Sequence, residues 1–218
     1  MDYAEARRFM VDGQLRPNRV EDPRIVGALR ELPRERFLPP ALAARAYVDA
    51  DAPLPGGRAM LKPLVLARLV QLAGLRRGER ALVLGAGTGF GAALMAAIGG
   101  EVTAVESDPV LLAIARPALA SCLPPGAVTL VQADPAEGHP PGAPWDVIMI
   151  EGGVEHVPPA IEAQLAEGGR LVAIGLEGGP PGRAMLRRRA GGVVTSLRDF
   201  DAHAPALPGF ARAAAFAF

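Results

Sequence analysis

Residues that could carry out chemistry occur in the stretch RALVLGAGTGFG at positions 80–91 and at an acid that follows it. Glycines at 85, 87 and 89 allow the backbone to turn tightly and to approach a ligand closely. Glu106 follows the first of them by 21 positions, at the end of the apolar run EVTAVES. A carboxylate there can accept hydrogen bonds from both hydroxyls of a ribose. The predicted cofactor-binding residues in this part of the chain are Gly85, Ala86, Gly87, Thr88, Gly89, Glu106 and Ser107.

A second acid ends the next apolar run, VTLVQAD. Asp134, followed by Pro135, lies where it could accept a hydrogen bond from an adenine amino group. It could equally cap the turn that follows it, because aspartate side chains commonly bond backbone N–H groups. Both interpretations remain open from the sequence.

Two cofactors fit a glycine loop followed by a ribose-binding acid: NAD and S-adenosylmethionine. The loop is of the G-x-G-x-G type, whereas dinucleotide sites typically have G-x-G-x-x-G. No second mononucleotide-binding half and no separate substrate domain follow. These features favour S-adenosylmethionine, with Gly85 and Gly87 facing the methionine carboxylate through exposed amides. NAD remains the alternative.

The elements that must position these residues alternate between strand and helix from position 80 onward. The alternation predicts an α/β fold with a doubly wound, mostly parallel sheet of the Rossmann-like type. A helix is expected over 157–169, and an antiparallel hairpin from 183–190 and 192–200. We expect an N-terminal helical extension with a substrate-side loop over 1–75. The S-adenosylmethionine-binding domain would then cover 76–218.

Local signals predict four helices in the N-terminal extension, one of them a short helix over PALAARAYVD at 40–49. Residues 2–11 have helical spacing of apolar positions. Asp22 precedes Pro23, a typical helix start, and the last helix, over 63–74, ends at a glycine. Residues 52–63 contain prolines and glycines and are expected to form a loop.

Composition excludes several classes of protein. Lysine and arginine total 23, as do aspartate and glutamate, so no basic surface for nucleic acid is evident. The single cysteine, Cys122, excludes an internal disulfide and a site of several thiolates, and no metal is expected. The N-terminus lacks a signal-peptide core and the apolar runs are too short for a membrane span, so a cytoplasmic location is expected.

The chain resembles the protein-L-isoaspartate O-methyltransferase family over nearly its whole length. The resemblance lies in MVDGQLRPNRVEDPRIVGALRELPRERFLPP, AYVDADAPLP, RRGERALVLGAGTGFGAALMA and the region from PWDVIMIEGG onward. It implies methyl transfer from S-adenosylmethionine to the α-carboxylate of an isoaspartyl residue in a damaged protein or peptide. Such a reaction needs alignment more than acid–base catalysis, because the acceptor is already a nucleophile.

The substrate loop departs from the family pattern T-I-S-x-P. The corresponding residues are Ala59, Met60, Leu61 and Lys62, so both hydroxyls are replaced by apolar groups. Lys62 could anchor a substrate carboxylate, or it could be an ordinary exposed lysine. Met60, Leu61 and Lys62 are therefore the candidate substrate-loop residues.

A second departure lies just before the glycines, where the family has an acid and this chain has Val83. That acid helps to hold the methionine amino group in the family. Glu151 stands where the family has a small residue, after the apolar run WDVIMI. It could take over the amino-group contact, or it could face the substrate.

These departures leave the acceptor open between an isoaspartyl carboxylate and another acceptor, including a small molecule. A different class of hypothesis is a divergent cofactor-binding homologue without repair activity, acting through a partner. The oligomeric state is open as well, although the C-terminal AAAFAF could form an edge strand.

Overall fold

A seven-stranded sheet forms the centre of the protein, with strand order β5-β4-β3-β6-β7-β8-β9. The structure is a computed structural model that describes residues 2–177 and 181–212. Strands β5, β4, β3, β6 and β7 run parallel, and β8 and β9 continue antiparallel. This arrangement confirms the predicted mostly parallel α/β sheet and its C-terminal hairpin. The strands are β1 (Ala52–Pro53), β2 (Ala59–Met60), β3 (Arg80–Leu84), β4 (Glu101–Glu106), β5 (Val128–Gln132), β6 (Trp145–Val154), β7 (Leu165–Gly175), β8 (Gly182–Ala190) and β9 (Val193–Ala202).

Helices cover the faces of the sheet and begin at the residues that the sequence marks. Asp22 and Asp108 cap their helices by accepting backbone N–H bonds, each followed by a proline. Gly74 ends the third helix in the left-handed conformation, as predicted. The α-helices are α1 (Tyr3–Met10), α2 (Pro23–Glu31), α3 (Pro63–Ala73), α4 (Phe90–Ala97), α5 (Pro109–Ala120) and α6 (Pro159–Glu162).

The predicted helix over 157–169 is wrong in extent. Only the single turn α6 is helical, and β7 already begins at Leu165. Trp145 pairs with Leu165, and its N–H donates to the Gln164 carbonyl oxygen at 2.8 Å. Gly168, with φ of 78°, then turns the chain into the main part of β7. Pairing with β6 therefore overrides the helical spacing of apolar residues in this segment.

The loop before α3 is the part of the N-terminal region that approaches the site. Strands β1 and β2 pair antiparallel within it, which the sequence did not predict. One continuous buried cluster includes residues from α1 to α3 together with β3, β4 and β6. The predicted division into 1–75 and 76–218 remains a prediction.

After β9 the chain returns across the sheet to the carboxyl end of β6. The Gly153 N–H donates to Pro205 O at 2.8 Å, and the Leu207 N–H donates to Gly153 O at 2.8 Å. These bonds place Leu207 directly beside the glycine loop. The AAAFAF segment lies outside the described residues. Within the described part of the chain, no helix combines the length and apolar character needed to cross a bilayer.

Candidate active site

The glycine loop joins β3 to α4 at the carboxyl edge of the sheet, where the strand order reverses between β4 and β6. Ligands bind at this kind of switch point in doubly wound folds. Gly85, Gly87 and Gly89 all have positive φ, of 67°, 57° and 90°. The expectation of exposed amides at the first two is wrong. The Gly85 N–H donates to the Val105 carbonyl oxygen at 3.0 Å, and the Gly87 N–H donates to the Glu106 carboxylate at 2.8 Å.

Glu106 is the centre of the site and is completely buried. One of its oxygens accepts the N–H groups of Ser107 and Asp108 at 2.9 and 3.1 Å, and the other accepts that of Gly87. Arg58 Nη1 donates to both oxygens, at 3.1 and 3.2 Å. This ion pair and the three backbone bonds compensate the buried charge.

Arg58 was not among the residues that the sequence singled out. Its Nη2 donates to the Gly85 carbonyl oxygen at 3.0 Å, so its guanidinium joins Glu106 to the glycine loop. The backbone between β1 and β2 supports it, because Leu54 N–H donates to Arg58 O at 2.8 Å. Its only signal in the sequence is its place just before the substrate loop.

Leu207 covers the other side of the glycine loop. A Cβ atom placed on Gly85 would lie 2.7 Å from one Leu207 methyl group, and one on Gly152 would lie 2.9 Å from Leu207 Cβ. Both glycines are therefore required by the close approach of this side chain. The C-terminal segment and the Arg58 loop enclose the carboxyl edge from two directions.

The other predicted cofactor residues are distributed along the same edge. Asp134 is exposed and accepts the Ala136 N–H at 2.9 Å, so it caps the turn that contains the buried Pro135. Ser107 is exposed and contacts the site through its backbone. Ala86 and Thr88 are buried within the loop.

The substrate-loop residues divide between the core and the surface. Met60 and Leu61 are buried. Lys62 is partly exposed, and its Nζ lies 3.5 Å from an Asp49 carboxylate oxygen. Its backbone N–H donates to Asp51 Oδ1 at 2.8 Å at the start of α3. The structure thus gives the lysine ammonium an acidic partner in its own loop.

Glu151 lies at the carboxyl end of β6, buried behind the glycine loop. A Cβ on Gly91, in the first turn of α4, would overlap its Oε2. Burial raises the pKa of Glu151 to about 8, against the opposing influence of Arg34 and Arg58. Burial also lowers the pKa of Arg34 to about 10. The site therefore contains a carboxyl group that is mostly protonated at neutral pH.

The fold and the glycine loop with its strand-end acid define an α/β protein of the methyltransferase type. Residues 7–189 match the family described as protein-L-isoaspartate(D-aspartate) O-methyltransferase. The chain is 41% identical over 170 residues to protein-L-isoaspartate O-methyltransferase 1 of Rhodopseudomonas palustris strain HaA2, covering 78% of this chain and 69% of that protein. It is 39% identical over 202 residues to the Methylorubrum extorquens strain PA1 enzyme, covering 91% and 86%. The chain belongs to this family.

Solved structures agree with this assignment. A protein-L-isoaspartate O-methyltransferase superposes with a TM-score of 0.79 at 27% identity, covering 94% of this chain and 67% of that one. A Plasmodium falciparum protein in complex with S-adenosyl-L-homocysteine superposes with a TM-score of 0.78, covering 96% of this chain and 99% of that one. At 16% identity, the second likeness shows the fold alone.

Proposed function

We propose that this chain methylates the carboxylate of isoaspartyl residues in damaged proteins or peptides, with S-adenosylmethionine as the methyl donor. The observation that carries the proposal is the family match over residues 7–189, which includes the glycine loop and Glu106. The departures at Ala59 and Leu61 remove two hydroxyls but leave a polar group beside the loop, because Arg34 donates to the Leu61 carbonyl oxygen at 2.6 Å and keeps its Nη1 unpaired among the described residues.

The residues at the carboxyl edge fit the cofactor. Glu106 has about four acceptor positions, so with its three backbone N–H partners kept it can hold one ribose hydroxyl through the oxygen that Gly87 contacts, if Arg58 gives up its two contacts. The second hydroxyl would take the place of one N–H bond on the other oxygen. Asp134 and Pro135 border the place for the adenine, and Gly85 and Gly87 keep Cβ atoms out of the way. The cofactor supplies an activated methyl group on a sulfonium.

The chain's own contribution is to orient the acceptor and to exclude water. Leu54, Leu207, Met60 and Leu61 are buried apolar side chains around the carboxyl edge. They keep competing water from the reacting oxygen and hold it in line with the methyl group, which accounts for much of the acceleration in such transfers. No residue has to remove a proton, because a carboxylate attacks as an anion.

The test is transfer of a labelled methyl group to an isoaspartyl peptide, with the aspartyl peptide of the same sequence as the control. We expect base-labile label on the isoaspartyl peptide alone. Calorimetry should show binding of S-adenosylmethionine and none of NAD. Cofactor binding without any labelled isoaspartyl peptide would contradict the proposed acceptor and favour a homologue that acts on another substrate or through a partner.

The proposal includes a cytoplasmic location and a protein or peptide partner in preference to a nucleic acid. Equal numbers of acidic and basic residues support the preference for a protein or peptide partner, because the chain has no net charge to attract a polyanion such as nucleic acid. Cell fractionation with an antibody to the chain would test the location.

A further inference from the structure

Three buried polar atoms, on residues close to the start of α4, have no hydrogen-bond partner among the described residues. They are Arg34 Nη1, Glu151 Oε2 and Thr88 Oγ1. Their residues are only 1%, 6% and 2% exposed. Buried polar groups are nearly always paired, because an unpaired one costs about 1–3 kcal/mol. Three such atoms near the first turn of α4 indicate a place for a polar ligand.

Arg34 is fixed so that one part of its guanidinium stays available. Its Nε donates to Ala46 O at 2.8 Å, and its Nη2 donates to Leu61 O at 2.6 Å. The guanidinium carbon lies 4.7 Å from the centre of the Phe90 ring, which holds the group flat. Nη1 has no hydrogen-bond partner among the described residues. The same arginine supports the substrate loop through its bond to the Leu61 carbonyl oxygen.

The charges around Glu151 favour an anionic ligand. The charged groups that act on it are Arg34, Arg58 and Glu106, which together carry one net positive charge. With Glu151 protonated, the pocket contains an unpaired guanidinium N–H and a carboxyl group able to donate a hydrogen bond. An ammonium ion would instead face the same net positive charge of the two guanidinium groups and Glu106.

We propose that Arg34 Nη1 and the carboxyl group of Glu151 bind the acceptor carboxylate and hold it for methylation. They would replace the hydroxyls that the family supplies from the positions of Ala59 and Leu61. The proposal rests on the proposed function. It assigns Arg34 and Glu151 as substrate-binding residues, and it predicts preference for a carboxylate over a neutral amide.

The experiment compares Glu151→Leu and Glu151→Gln with the wild type. Binding of an isoaspartyl peptide and of its isoasparaginyl amide is measured by calorimetry on enzyme saturated with S-adenosylhomocysteine. KM and kcat are measured with the isoaspartyl peptide from pH 6 to 9. Glu101→Gln, at the exposed opposite end of β4, is the matched control, and thermal unfolding checks that each variant folds.

In the wild type we expect the isoaspartyl peptide to bind at least tenfold more tightly than the amide. Glu151→Leu should remove most of this difference and raise KM about tenfold, the equivalent of one charge-assisted hydrogen bond. Glu151→Gln can still donate a hydrogen bond, so its KM should stay within a few-fold of the wild type. The KM of the wild type should rise above about pH 8, as Glu151 ionises, and this rise should be absent in Glu151→Gln.

Two results would overturn the proposal. One is a Glu151→Leu variant with altered stability but unchanged KM and unchanged preference for the acid, which would make the pocket a structural one. The other is a loss of S-adenosylhomocysteine affinity as large as the loss for the peptide, which would assign the pocket to the cofactor's own carboxylate. Failure of the proposed function is distinguishable, because it would show as no methyl transfer by the wild type.

Discussion

Arg58 Nη1 donates to both carboxylate oxygens of Glu106, at 3.1 and 3.2 Å, although 48 residues separate the two in the chain. The arginine thereby holds the oxygens that a ribose would use. The Arg58 side chain is 11% exposed and Glu106 is not exposed at all, so solvent weakens the pair little. With the proposed role of Glu106 in ribose binding, we expect cofactor binding and the position of the β1–β2 loop to be coupled through this ion pair.

Arg58→Ala should increase the affinity for S-adenosylmethionine about tenfold. Removing the arginine frees Glu106 from a charge-assisted bond worth about 1.5–3 kcal/mol, while the three backbone donors still support the carboxylate. Calorimetry with S-adenosylmethionine and with S-adenosylhomocysteine measures the effect, which should be similar for both because the ribose is common to them.

Arg16→Ala is the control for this prediction, since Arg16 forms an exposed pair with Asp12 on the surface. It should leave both affinities unchanged. Weaker cofactor binding in Arg58→Ala would mean that the guanidinium contacts the bound cofactor instead of competing with it.

Much of the fold could be predicted because its signals are local. The Asp22-Pro23 helix start and the Gly74 helix end depend on bonds within one turn of chain. The helix predicted over 157–169 is wrong in extent because the structure of this segment depends on pairing with Trp145, which is distant in sequence. The β1–β2 pairing involves only two residues on each side, too few to give a periodic pattern.

The candidate site could be predicted in part for the same reason. A carboxylate at the end of a strand is visible in the sequence, and Glu106 does lie beside the glycine loop. Its partner Arg58 is not visible, because a loop must fold back over the sheet to bring it there. Asp134 had two equally local explanations, and the structure shows the capping bond. Nothing in the pattern could indicate that Leu207 returns to cover Gly85.

Gly85→Ala should destabilise the protein by about 2–4 kcal/mol, more than the cost of positive φ alone. The added methyl group would meet two Leu207 methyl groups at 2.7 and 2.8 Å and would displace the C-terminal segment. Thermal or denaturant unfolding measures the loss.

Gly78→Ala is its matched control, with φ of 79° and no atom within 4 Å of the added Cβ. It should cost about 1–2 kcal/mol, from backbone strain only. Equal decreases in the free energy of unfolding of the two variants would show that the Leu207 side chain moves aside without destabilising the protein.

Leu61→Ser should lower both stability and KM. The side chain is 1% exposed, so replacing it removes apolar burial and adds a buried hydroxyl, at a cost of about 2–4 kcal/mol. The hydroxyl lies in the substrate loop, where it can add one bond to an acceptor carboxylate and lower the peptide KM several-fold.

Leu66→Ser separates the two effects, because Leu66 is equally buried but lies within α3. It should lower the melting temperature, by about 2–4 °C for each kcal/mol, without lowering KM. A KM that is unchanged or higher in Leu61→Ser would show that the apolar loop does not limit acceptor binding.

Glu151 should make the protein less stable as pH rises. Its pKa is raised from 4.5 to about 8 in the folded protein, first because of burial. Between these values the folded state binds more protons than the unfolded state, so the free energy of unfolding decreases with increasing pH. The loss is a few kcal/mol in total, at about 1.4 kcal/mol for each pKa unit.

Glu151→Gln should remove this slope, because the amide does not ionise. Denaturant unfolding at intervals from pH 5 to 8.5 gives the two curves, and their difference isolates Glu151 from all other titrating groups. Glu79 acts in the opposite sense: bonds from Arg170 lower its pKa, so the stability it contributes is lost only as pH falls below its ordinary value. If the curves of wild type and Glu151→Gln ran parallel across this range, Glu151 would have to be ionised in the folded state, paired directly with Arg34. The pocket would then have no protonated carboxyl group to offer a ligand.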